Sequence, residues 1–173
     1  GGQQVTIQST TTYELPESVR AVQRLPMGEV TVILADGQGT LITPAGTQPA
    51  PPPIVGQIKS QLFLSLPYLL ARRADLEVEL MGEEGDMTIL QIRAPGVPEP
   101  FRLYVGPEGR PTMLATTQVT PQGPAEVEIG ISDYRAVGGL MLPFAYGQST
   151  NGEASGTTTL SQIEINPALD AGT

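Results

Sequence analysis

The sequence predicts an α+β domain, a strongly curved antiparallel sheet of about ten strands forming an open half-barrel with short helices on its concave face. Three observations predict it. Apolar residues alternate at a period of two through both ends of the chain. One stretch, residues 55–69, instead repeats them every three or four positions. The 20 glycines and 17 prolines together exceed a fifth of the 173 residues, which cuts the chain into many short elements.

The first strand is expected at residues 5–10, where Val5 and Ile7 alternate with polar neighbours, with a Thr-rich continuation to Tyr13 and Leu15 that Pro16 ends. Strands at 19–25 and 29–34 follow, joined by a turn through Pro26, and Asp36-Gly37 leads into a short strand at 40–43. Residues 44–53 are proline-rich. Fixed φ angles and missing donors suit an extended polyproline loop that carries the chain across one domain.

Val55, Ile58, Leu62, Leu66 and Leu69 then fall on one helical face. Pro67 inside a helix would cost roughly 3 kcal/mol, so two short helices within residues 54–74 are predicted. Ser65 is placed to cap the second, and Arg72-Arg73 to face its negative end. Strands are expected again at 76–81, 87–93, 101–105, 112–119, 125–135, 140–146 and 157–165. Residues 82–86, 106–109 and 121–124 read as hairpin connectors.

Composition excludes more than it assigns. The formal charge of −9, from 18 acidic and 9 basic residues, repels a phosphate backbone, so nucleic acid is not an expected partner. With no histidine and no cysteine, the chain cannot supply a Ser-His-Asp triad, a Cys-His pair, a thiolate zinc site or a zincin helix. No catalytic residue, metal ligand or cofactor is therefore expected. The longest apolar stretch, 62–71, is far short of the roughly 20 residues of a spanning helix, so no transmembrane segment is expected.

Carboxylates are the acid/base groups that remain. Glu83, Glu84 and Asp86 sit between glycines and read as a solvated hairpin tip, without the ligand spacing of a calcium loop. The alternating pairs Glu77/Glu79 and Glu126/Glu128 read as wet faces of strands. In Asp133-Tyr134-Arg135, alternation puts the two charges on one face and the tyrosine on the other. The candidate binding feature is the helical stripe Val55, Ile58, Leu62, Leu66 and Leu69. Its ordinary explanation is plain core; its functional one is the wall of an apolar cavity for an acyl chain or hydrophobic peptide.

Several stretches resemble a known superfamily. They are Thr11-Thr12-Tyr13-Glu14-Leu15-Pro16-Glu17-Ser18-Val19-Arg20, the hairpin from Leu80 through Glu83-Glu84 to Leu90, and the strand and turn from Phe101 to Pro111. The most distinctive is Ser132-Asp133-Tyr134-Arg135-Ala136-Val137-Gly138-Gly139-Leu140-Met141-Leu142-Pro143, followed by Ile163-Glu164-Ile165-Asn166-Pro167. Together they are similar to the outer-membrane lipoprotein-sorting (LolA-like) superfamily, and within it to members resembling tails or companions of M16-type zinc peptidases. The resemblance implies an unclosed antiparallel barrel around helices and a place in the periplasm or cell envelope. It implies a lipid, lipoprotein or hydrophobic peptide as ligand, and in the alternative an M16-like peptidase domain in cis or in trans. The leading helix and first strand of the superfamily have no counterpart before Gly1, so one LolA-like domain excised from a longer protein is expected.

Overall fold

A computed structural model describes residues 6–14, 18–26, 28–52, 55, 62, 65–95, 97, 99–120 and 123–168. The chain divides into two compact units, Gly1–Leu76 with Ala94–Val97, and Glu77–Arg93 with Pro98–Thr173.

The first unit holds a five-stranded antiparallel meander of β1 (Gln8–Glu14), β2 (Ser18–Leu25), β3 (Gly28–Ala35), β4 (Gln38–Thr43) and β5 (Gly46–Pro49). Asp36 and Gly37 make the two-residue β3–β4 turn with φ of 51° and 76°, the left-handed pair that matches strand twist. Tyr13, Val19, Leu34 and Gly39 are register partners, forming one row across four strands. Val19 and Leu34 are buried with Leu62, and Tyr13, Val55 and Tyr68 pack against them. The row therefore forms this unit's core.

Two expectations for this unit are corrected, the loop at 46–49 and the Ser65 side-chain cap. Residues 46–49 are not a polyproline loop but strand β5, paired with β4; an edge position at the strand end spares Pro49 a missing ladder bond. As expected, a short helix begins where Pro67 forbids a continuous one: Pro67 occupies the second position of α1 (Leu66–Ala71), where its missing N–H has no partner to lose. Ser65 sits at the N-cap with extended φ and ψ of −88° and 117°, yet its side chain makes no capping bond; only its carbonyl serves the helix, accepting from Leu69 N–H at 3.0 Å. Of the two arginines, Arg73 meets the helix end as expected, whereas the Arg72 side chain turns to Asp75. Arg73 Nη1 donates to the Leu70 carbonyl at 3.2 Å, near the negative helix end, and Arg72 Nε pairs with Asp75 Oδ2 at 2.6 Å across a 3₁₀ turn.

The second unit is a seven-stranded antiparallel meander of β6 (Glu77–Glu84), β7 (Met87–Arg93), β8 (Phe101–Val105), β9 (Pro111–Thr120), β10 (Gly123–Val137), β11 (Leu140–Thr150) and β12 (Glu153–Thr159). Its two faces differ sharply. One carries the rows Leu80, Leu90, Leu103, Leu114, Ile129 and Val78, Ile92, Phe101, Thr116, Val127. Phe101 and Leu114, each 2% exposed, anchor that face. The other carries Glu79, Gln91, Arg102, Ala115, Glu128 and Ser149 in one row. Arg102 reaches across β9 to Glu126 at 2.9 Å, and the small Ala115 opposite it leaves room for that crossing.

The architecture thus has antiparallel strands throughout, as predicted, but they form two sheets of five and seven where one of about ten was expected. Every pairing is made through a hairpin between sequence neighbours, and the segment between β5 and β6 is no hairpin but carries α1. Helix is minor among the described residues. The last expected strand, 157–165, is also corrected: β12 covers Glu153–Thr159, paired to β11 through a turn at Asn151-Gly152. Asn151 fixes that turn by exchanging two bonds with Glu126, N–H to carbonyl at 2.8 Å and Oδ1 from N–H at 2.9 Å.

A candidate groove over strand β4

The helical stripe singled out by its spacing is divided by the structure. Leu62 is core, packed with Val19 and Leu34. Leu66 and Leu69 are buried on α1. Ile58 lies outside the described residues. Val55 alone lines an open space: a groove of about 470 Å³ in the first unit.

That groove is built from small and rigid residues. Gly37 from the turn and Gln38 and Gly39 from β4 form one wall. Pro49, Ala50 and Pro52 form the other, with Val55 at the end. Ala50 N–H donates to the Gly39 carbonyl at 2.8 Å, which ties the returning chain to β4 just after β5 stops pairing. Val55 N–H donates to the Pro51 carbonyl at 3.1 Å, an i to i−4 bond, and Pro52 and Val55 are both helical.

Gly39 is what allows the approach. A Cβ there would meet Val55 Cγ2 at 2.6 Å and Ala50 Cβ at 2.9 Å, well inside carbon–carbon contact. The groove wall is therefore a place where backbone, not side chain, meets the crossing segment. Gln38 is the one polar side chain among the lining residues, and it is exposed. The groove is shallow and open to solvent, and its lining is part polar and part apolar, the apolar share being the larger. The hydrophobic stripe did not point to this groove, because Gly, Pro and Ala carry little hydropathy; the signal was Gly37-Gln38-Gly39 followed by the run Pro49-Ala50-Pro51-Pro52-Pro53.

The charged candidates stand elsewhere. Glu83 and Glu84 end β6 and Asp86 lies in the turn beyond, all exposed. Among the described residues no three carboxylates converge as a metal site would require. Asp133 and Arg135 share a face, with Arg135 Nε and Nη2 donating to the two carboxylate oxygens at 3.0 and 2.6 Å. That bond holds the Asp133 carboxyl below its usual range and the guanidinium above its own. The guanidinium also stacks 4.5 Å above the Phe144 ring. Tyr134 turns the other way and donates its hydroxyl to the Pro111 carbonyl at 2.7 Å; burial raises the phenol, against a smaller opposing pull from Arg110. Each group is already engaged. This is a clasp joining β9, β10 and β11.

Among the described residues no helix is long and apolar enough to cross a membrane. No protein-family profile matches the chain, and no curated protein does. A crystal structure does: that of a LolA superfamily protein from Nitrosomonas europaea, at 13% identity and a TM-score of 0.56, over 91% of this chain and 84% of that one. At that identity the likeness concerns the fold, and the chain has a LolA-like fold.

Proposed function

We propose that this chain is a non-catalytic binding or accessory domain of the bacterial cell envelope that holds an acyl chain, of a lipid or lipoprotein, or an apolar peptide. The observation that carries this reading is the groove over β4, open, of about 470 Å³, and lined by glycine, proline, alanine, one valine and the exposed Gln38. The LolA-like fold supports it, since the superfamily resemblance implies such cargo and the periplasm as its setting. The absence of histidine and cysteine supports a binding role over a catalytic one. A companion role beside an M16-type peptidase rests on the sequence resemblance alone.

The test is displacement of a fluorescent fatty acid from the full chain, by unlabelled fatty acid in one arm and by an apolar peptide in the other. Saturable uptake is expected, and the arm that displaces identifies the ligand class. Val55→Asp should abolish uptake. Gln38→Trp, which fills the groove from its exposed rim without touching the core, should weaken uptake while leaving the melting temperature unchanged. No uptake by the native chain, or equal uptake by both variants, overturns the reading.

A further inference from the structure

The geometry points to the outer edge of β6 as a docking strand for an extended partner segment in which basic and apolar residues alternate. Three observations converge there. First, β6 ends the order of the seven-stranded sheet, so among the described residues no strand pairs with its outer side, and its row of backbone donors and acceptors is a template for one more strand. Second, the two apolar rows of the sheet run out to this edge without stopping. Leu80 continues Leu114, Leu103 and Leu90, while Val78 continues Phe101 and Ile92, and these two outermost members are 67% and 55% exposed. A partner strand in register would extend each row by one apolar side chain. Third, the opposite face of the outermost strand carries two carboxylates. Glu77 and Glu79 alternate with Val78 and Leu80; Glu77 has Arg93 as its register partner, whereas Glu79 stands opposite the neutral Gln91, and a shallow recess of about 100 Å³ lies among Glu77, Val78, Glu79, Gln91 and Arg93.

The charge decides between occupants. A second copy pairing antiparallel through β6 would set Glu77 and Glu79 of one chain against those of the other, with a formal charge of −9 on each chain opposing the approach. The same carboxylates favour a basic strand. The bulge at Met81, where Leu80 and Gly82 pair with consecutive residues Leu90 and Ile89, ends the regular edge beyond Leu80. The docking register is thereby confined to residues 77–80. This edge shares no residue with the lining of the groove over β4, and either reading can fail without the other.

The experiment is fluorescence anisotropy of the full chain with short labelled peptides: one alternating Val and Lys, one alternating Val and Glu, and one with the first composition arranged as a Val block and a Lys block. The alternating basic peptide should bind saturably and the other two at least about tenfold more weakly. Because residues 77–80 are exposed, Glu77→Lys with Glu79→Lys should fold and lower the affinity for the basic peptide about tenfold or more. Leu80→Asp should weaken binding on the apolar side. Hydrogen exchange should show new protection at β6 amides on addition of the peptide. Equal binding of the block peptide, indifference to the charge reversal, protection gained elsewhere, or a β6-paired dimer of the chain would overturn the proposal.

Discussion

Replacing Gly39 by alanine should push the segment carrying Ala50 and Val55 off strand β4. The new methyl would lie 2.6 Å from Val55 Cγ2 and 2.9 Å from Ala50 Cβ, about 1 Å short of ordinary carbon–carbon contact on both sides. Overpacking of that kind costs about 1–3 kcal/mol. For a chain of 173 residues that should lower the melting temperature by roughly 2–12 °C. A double-mutant cycle isolates the cause. Val55→Ala removes the nearer clashing carbon at the price of some burial, so the Gly39→Ala/Val55→Ala chain should be more stable than the two single effects predict, by about 1 kcal/mol. Urea unfolding of the four proteins reads this directly. Additivity within about 0.5 kcal/mol, or a neutral Gly39→Ala, would refute the close approach on which the groove depends.

Other expectations follow from the second unit. Leu114→Ala, at the centre of the apolar face, should cost about 2–5 kcal/mol by urea unfolding, whereas Thr157→Ala on the exposed edge strand β12 should stay within about 0.5 kcal/mol. Tyr134→Phe should cost about 0.5–1.5 kcal/mol through loss of the bond to Pro111. Since burial favours its neutral form, Tyr134 should ionise above an ordinary phenol in an ultraviolet titration; its contribution is held below the unfolded value and lost as pH rises through the folded one. Asp133 has the opposite sign: its pairing with Arg135 stabilises above the usual carboxylate range and fades as pH falls through the lowered folded value. Arg135→Gln should move the Asp133 midpoint, followed by NMR, back up.

Much of the fold was legible because each strand is closed by a turn with its own chemistry. The limits of β7 and β8 coincide with the runs 87–93 and 101–105, where apolar alternation lies between glycine- and proline-containing connectors. Where a strand carries no alternation, that signal disappears. Strand β12 is exposed along its whole length, and its Thr- and Ser-rich sequence resembles a loop, although Asn151-Gly152 announced the hairpin. Strand β5 was hidden by Pro49, which an edge strand tolerates and a central one does not. The division into two sheets falls at the proline-rich and helical segment between β5 and β6, but the same segment is compatible with a loop crossing one sheet, so the sequence marks the interruption without saying that pairing stops there. At the candidate site, periodicity correctly marked Leu62, Leu66 and Leu69 as residues to bury, and for that reason drew attention away from the glycines and prolines that leave space open.

The proposed function places an apolar ligand along β4, against Gly39, Ala50 and Val55. Amide and methyl NMR shifts recorded while a fatty acid is titrated into the full chain test it most directly. Saturable changes should concentrate at Gly37, Gly39, Ala50 and Val55, with the Asp133–Arg135 clasp unmoved. Shifts spread evenly over both units, or none at those four residues at saturating ligand, would contradict it.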